Sequence, residues 1–278
     1  MSEMMIQFEA GTSIGSRDKN QDAFMVDTYI SSIDTKNLQT YSGDADPNEK
    51  LFVCAVCDGI GMFKQSGKAA QCTLEAVRSC VGHFRGSDTE DVAGALHRWV
   101  EHTLVVAKDA VTALKRDEDV GGCTIVLLAI YRDCYILANL GDSPAFLMEN
   151  EAFSEISTRH TMANLKRLLG QEPTEDENGI LIHYLGEQNE QKKLIYSKES
   201  GKITKDSCFF LCSDGVFGAL GKNGLKDSLS SSIPVQDIVR QAGERPLADN
   251  CTAILVRFAA KEQAPMPEDQ TERSENND

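Results

Sequence analysis

The chain of 278 residues is long enough for one large domain with a substantial core, or for two small ones, and its 41% apolar and 26% charged residues are ordinary for a globular protein. A net charge of −15 argues against binding nucleic acid through its phosphates, which takes a basic surface, but not against a phosphorylated substrate approached through a bound cation. Apolar runs such as CTIVLLAIY fall far short of the ~20 residues that span a bilayer, and MSEMMIQFEAG lacks a basic stretch followed by an apolar one. No membrane segment and no export signal are therefore expected, and a cytoplasmic location is.

In chain order, Ile6–Thr12, Ala23–Ile30 and Leu51–Cys57 read as strands, with a polar insertion at Ser31–Lys50 between the last two. Gly67–Phe84 reads as a helix. Ser87 and Glu90 form a capping-box signature for a second, longer helix reaching Leu114. Strands follow at Thr124–Tyr131, Tyr135–Leu140 and Ala145–Met148, with turns at Arg132–Asp133 and Glu149–Asn150. Thr161–Leu169 is a short helix and Gln171–Gly179 an acidic loop. Phe209–Ser213 is a buried strand, Ile233–Ala242 a helix with Pro234 in its first turn, and Cys251–Phe258 the last strand. Strands and helices each come in consecutive runs, which is not the alternation of a parallel doubly wound sheet. The order predicts an α+β fold: two packed antiparallel β-sheets flanked by pairs of antiparallel helices, an αββα sandwich. Residues 1–260 are expected to form a single domain, and Lys261–Asp278, rich in Glu, Asp, Asn, Gln and Pro, a disordered acidic tail.

Nine cysteines without an export signal are expected to be reduced, buried thiols. Cys54 and Cys57 lie at odd separation in a strand and so point to opposite faces. Cys208 and Cys212 share a face, but about 13 Å apart at strand rise. Neither pair suits zinc or a disulfide. Gly59-Ile60-Gly61 hints at a nucleotide loop, but its third glycine falls at Gly67, off the dinucleotide spacing.

Five aspartates sit where strand-like runs begin or end: Asp22, Asp58, Asp142, Asp214 and Asp249. One such residue is ordinary turn chemistry. Five, on strands whose ends come together, would line one acidic cleft whose mutual repulsion calls for a hard divalent cation. Their segments are GSRDKNQDA (Gly15–Ala23), VCDGIG (Val56–Gly61), GGCTIV (Gly121–Val126), ANLGDSPAFL (Ala138–Leu147), LCSDGVFGAL (Leu211–Leu220) and ADNCTAILV (Ala248–Val256). In this order the set resembles the metal-dependent protein phosphatases of type 2C, and the resemblance runs from about Gly11 to Phe258.

That resemblance implies the same sandwich fold and hydrolysis of phosphoserine or phosphothreonine on proteins at two Mg²⁺ or Mn²⁺ ions, with a possible third. Asp58 and the Gly59 carbonyl are implied as ligands of the first ion. Asp58 then bridges to the second, which Asp214 and Asp249 also hold, and Asp22 ligates through water. Asp142 matches the aspartate that, with Asp214, binds a weaker third ion in bacterial members. Arg17 matches the phosphate-binding arginine, a planar fork suited to two phosphate oxygens. Catalysis is thus assigned to Arg17, Asp22, Asp58, Asp214 and Asp249, with Asn20 and Asn250 flanking and orienting them. Ligation by oxygen alone favours Mg²⁺ or Mn²⁺ over zinc.

Departures from the pattern also matter. Ile60 stands where some members carry a histidine proposed as general acid, and Pro144 where arginine commonly follows GDS. His160 is a candidate acid by chain position only, beside the plainer role of holding a loop. The implied partners are phosphorylated proteins and an opposing Ser/Thr kinase, with no nucleic acid, no membrane and a monomeric state. Residues 161–206 correspond to a flap beside the site. Its acidic EPTEDENG is expected to disfavour acidic flanks in a phosphopeptide. Two other readings stay open: a catalytically silent phosphoprotein-binding domain on the same fold, and a phosphatase of a small phosphate ester.

Overall fold

The computed structural model of the chain describes residues 4–60, 65–117, 120–187 and 193–260. Strands β1 (Met4–Ser13), β2 (Asp22–Val26), β3 (Tyr29–Ile30), β4 (Gln39–Ala45) and β5 (Phe52–Asp58) precede helices α1 (Ser66–Val81) and α2 (Val92–Asp117). Next come β6 (Ile125–Tyr131), β7 (Cys134–Leu140), β8 (Ala145–Glu149), β9 (Ala152–Glu155) and the short helix α3 (Met162–Leu168). Strands β10 (Ser197–Lys202) and β11 (Cys208–Cys212), helices α4 (Asp214–Ser230) and α5 (Val235–Gly243), and β12 (Cys251–Ala260) complete the described chain. The tail expected at 261–278 lies outside the described residues. Among them, no helix is long and apolar enough to cross a membrane.

The strands form two six-stranded sheets, ordered β4-β1-β12-β11-β8-β9 and β10-β7-β6-β5-β2-β3. Period-two alternation explains how they stack. On β6, Ile125, Leu127 and Ala129 join the apolar layer under α1 and α2, while Val126, Leu128 and Ile130 face the other sheet. On β12, Ile254, Val256 and Phe258 face between the sheets, and Cys251, Ala253 and Leu255 face α4 and α5. The result is a helix pair, two sheets and a helix pair, the predicted architecture. Cys54 and Cys57 fall in different apolar layers and Cys208 and Cys212 in the same one, as the alternation predicts. All nine thiols are free.

Several local expectations are corrected. The strand expected at Ala23–Ile30 is a tight hairpin, broken at Asp27 with φ 56°. The Ser31–Lys50 insertion contains β4, which pairs with β1 at the sheet edge. Ser87 does not cap α2: its hydroxyl donates to Asp88, and Asp91 Oδ1 instead accepts the Gly94 N–H at 2.8 Å. The hairpin after β8 turns on Asn150 and Glu151, both at positive φ, one residue later than expected.

Candidate metal centre

At one end of the sandwich, the face that carries the inter-sheet core turns polar. Thr12 follows Ala10 on β1, Asp22 precedes Phe24 on β2, Asp58 follows Val56 on β5, and Thr252 precedes Ile254 on β12. The alternation that buries the core therefore aims these polar side chains at the same seam. On neighbouring strands of one sheet the Thr12 and Thr252 hydroxyls lie 2.7 Å apart, and Thr124 Oγ1 lies 2.7 Å from Ser143 Oγ.

Antiparallel pairing sets Asp22 opposite Asp58. Thr124 holds the Asp58 backbone on both sides: its Oγ1 accepts the Asp58 N–H at 3.1 Å, and its own N–H donates to the Asp58 carbonyl at 2.8 Å. Asp214 begins α4 directly after β11, and Asp249 lies just before β12. Asp142 follows Gly141, whose φ of 114° turns the chain out of β7. Both sheets thus contribute carboxylates, and the five sequence-predicted aspartates gather at this end.

Arg17 donates through Nη2 to Asp249 at 2.6 Å, with both side chains about half exposed at the rim. Asn250 ties the loop carrying Arg17 to the start of β12: Oδ1 accepts the Gln21 N–H at 2.8 Å, and Nδ2 donates to the carbonyls of Ile14 and Lys19. Asn20 Oδ1 accepts the Asp22 N–H. Both asparagines do the orienting expected of them.

The electrostatics express crowding of like charges in a poorly solvated seam. Burial, followed by Asp22, Asp214 and Asp142, raises Asp58 well above the carboxylate range. Burial pushes Asp22 up to about 7, opposed in part by the Ser213 and Thr252 hydroxyls, with Asp214 and Asp249 adding to the rise. Burial and Asp214 push Asp142 to about 7 as well, against the pull of Arg159. Burial raises Asp214 too, and Asp249 adds.

Do these residues fit a hard divalent cation? Asp22 Oδ2 is buried with no hydrogen-bond partner, a costly arrangement unless something positive meets it. A Cβ on Gly59 would stand 2.6 Å from the Ser66 carbonyl carbon and 2.8 Å from the Gln21 oxygen, so only glycine allows this approach beside Asp58. The donors are all oxygens. Among the described residues, no three His, Cys, Asp or Glu side chains close on one point as a ready-made cage. The carboxylates lie in pairs instead, Asp22 with Asp58 and Asp58 with Asp214. A seat here needs backbone and solvent oxygens as well, and the group fits on those terms.

Ile60 lies beside the cluster with its N–H donated to the Gly122 carbonyl. Gly61–Lys64, the rest of that loop, lies outside the described residues. His160 is buried and its pKa falls to about 4, through burial and then the neighbouring His183. Its Nδ1 accepts the Gly141 N–H at 3.2 Å, the arrangement of a residue that holds the Asp142 loop. Sequence reasoning missed the hydroxyl network of Thr12, Thr124, Ser143, Ser213 and Thr252. Its only signal was polar residues at inter-sheet positions of otherwise apolar strands. Arg159, which acts on Asp142, was missed as well and carries no motif.

Comparison with known proteins agrees with this geometry. The family model for protein phosphatase 2C matches residues 40–256, leaving Arg17 and Asp22 outside the matched stretch. The protein phosphatase PhpP of Streptococcus pneumoniae is 26% identical over 183 residues, which are 61% of this chain and 72% of PhpP. The serine/threonine phosphatase of S. agalactiae superposes with a TM-score of 0.72 at 20% identity, covering 91% of this chain and 99% of that one. The catalytic domain of PstP, in complex with two manganese ions, gives a TM-score of 0.67 at 17% identity over 92% and 99% of the two chains. At such identities the superpositions speak for the fold. The family match spans most of the two sheets and four of the five aspartate-bearing strand ends, and on it this chain belongs to the protein phosphatase 2C family.

Proposed function

We propose that this chain removes phosphate from phosphoserine and phosphothreonine on proteins, with two cations of the Mg²⁺ or Mn²⁺ type held by Asp22, Asp58, Asp214, Asp249 and the Gly59 carbonyl. Asp142 with Asp214 offers a third, weaker seat. The observation that carries the reading is the convergence of carboxylates from both sheets on one seam, with burial and mutual repulsion raising four of them. When bound, such cations supply Lewis-acid polarisation of a phosphoryl oxygen and bring the pKa of water toward neutrality. PstP, the fold neighbour described with two manganese ions, supports the choice of metal.

The chain's own residues then position and discriminate. Arg17, steadied by Asp249, offers its guanidinium fork to phosphate oxygens at the rim. Thr124 and Asn250 fix the backbones of Asp58 and of the Ile14–Gln21 loop, so the donors need little rearrangement on binding. Ile60 has no proton to give, and His160 is committed through Nδ1 to holding the Asp142 loop, so we assign protonation of the leaving alkoxide to solvent. We read residues 1–260 as one catalytic domain, acting in the cytoplasm on the products of a Ser/Thr kinase.

Turnover of p-nitrophenyl phosphate tests this. It should depend on added Mn²⁺ and fall in Asp58→Asn by at least about a hundredfold, the upper scale for losing even a residue that merely supports a metal ligand. Turnover indifferent to both a chelator and that substitution would rule the reading out.

A further inference from the structure

A cavity of about 770 Å³ opens directly beside the carboxylate cluster, with Asp142 and Asp214 at one end and Arg159, Arg167, Asn164 and Asn178 along its wall. We infer that this cavity takes an anionic side chain of the substrate, a carboxylate or a second phosphate, flanking the phosphorylated residue. The inference rests on the phosphatase reading above and names the substrate class that the site prefers.

The argument is one of charge placement. Arg159 binds Glu155 through two parallel contacts, Nε to Oε1 at 2.7 Å and Nη2 to Oε2 at 2.8 Å, and its guanidinium lies 3.9 Å over the Phe217 ring. Those contacts lock the plane of Arg159 over Phe217, itself a lining residue, and leave Nη1 without a hydrogen bond among the described residues. Arg167 is exposed, and its recorded partner is the neutral Asn178 Oδ1 at 3.0 Å. Asn178 is itself held by the Glu175 carbonyl, so Arg167 leans on a fixed support. Glu155 and Asp142 therefore answer Arg159. Arg167 is the guanidinium of the lining that has no carboxylate partner among the described residues, and it is the one an incoming anion would meet.

The acidic EPTEDENG stretch, expected from sequence to repel acidic flanks, does not line the cavity with its carboxylates. Its contributions there are Asn178 and Gly179. Glu177 is turned to Lys166 and to the Thr174 N–H, while Glu172, Glu175 and Asp176 lie on the solvated outside. Exposed charges that make no contact are weakened by solvent and salt, whereas a guanidinium in contact with an anion forms a charge-assisted bond. Contact should win over the rim.

The test uses one phosphothreonine peptide with neutral flanks and versions in which a glutamate, or a second phosphothreonine, is walked along both sides. In the wild-type enzyme with Mn²⁺, an anion at one flank should raise kcat/KM roughly five- to tenfold at low salt, mainly through KM, and less at high salt. Arg167→Gln should bring that ratio close to one, and Arg167→Lys should keep part of it. Arg167 is exposed, so the fold should survive either change, which circular dichroism can confirm. Affinities of fluorescent, non-hydrolysable phosphonate peptides, read by anisotropy, should rank the same way. That readout judges the cavity even if p-nitrophenyl phosphate turnover fails and the hydrolytic reading with it. A gain with glutamate identifies a carboxylate as sufficient; a gain with the second phosphate alone identifies the phosphate. Equal rates and affinities at every position, or a preference that survives Arg167→Gln, would overturn the inference.

Discussion

Asn250 shows how much of the centre depends on residues that never carry charge. It accepts from Gln21 and donates to Ile14 and Lys19, so one side chain holds both ends of the loop between β1 and β2. Gly15 packs that loop against the same region, since a Cβ there would sit 2.1 Å from the Asp249 carbonyl oxygen. Asn250→Ala strands three backbone groups and should cost about 2–3 kcal/mol in urea unfolding, at roughly 1 kcal/mol for each lost bond. It should also weaken Mn²⁺ binding measured by calorimetry, because the loop leads directly into Asp22 at the start of β2. Unchanged affinity would mean the loop is held by other means. The aspartates themselves were readable in the sequence because a carboxylate ending an apolar run is conspicuous. The hydroxyls of Thr124 and Ser213 were not, because a lone Thr or Ser in a strand is unremarkable until the facing strand is known.

Elements differ in legibility for a physical reason, and α2 gives a test of it. The sequence offered Ser87 as its cap, but the helix starts at Val92 under Asp91. Asp91→Ala should lower stability by about 1 kcal/mol in chemical unfolding, and Ser87→Ala by less than about 0.5. The reverse order would reinstate Ser87. Strands β5, β6, β11 and β12 were read from their apolar runs because they lie inside the sheets. Strands β4 (QTYSGDA) and β10 (SKESGK) were missed because each closes a sheet edge, where solvent meets most side chains and no apolar pattern is needed. Helix α4 was missed for another reason. Gly215, Gly218, Gly221 and Gly224 dilute its helical signal, and Gly221 breaks its path at φ 66°.

For the molecule as a whole, the seam costs stability until a cation enters it. Asp22, Asp58, Asp142 and Asp214 all hold protons more tightly when folded than a free carboxyl does. From about pH 4 to about pH 7 the folded chain therefore binds more protons than the unfolded one, and stability falls as pH rises. His160, neutral when folded, pulls the other way as pH falls from 6.5 toward 4, but it is one group against four. Chelator-treated protein should thus melt at a lower temperature at pH 7.5 than at pH 5.5, with buried Trp99 as the reporter. Saturating Mn²⁺ should raise the pH 7.5 value most. A chelated protein that melts higher at pH 7.5 would show that the carboxylates are not crowded as described.

The pairing of Asp22 with Asp58 carries a consequence for how the chain tolerates insertions. Sliding β2 by one place along β5 would set Asp22 against Cys57 and swing its carboxyl toward the helices, while Phe24 and Val26 left the layer between the sheets. A single extra residue inside β2 would thus break the core and dismantle the ion seat in one stroke. Lengthening the outer hairpin at Asp27–Thr28 would leave both in place, so length variation belongs at that end of the sandwich and not at the mouth.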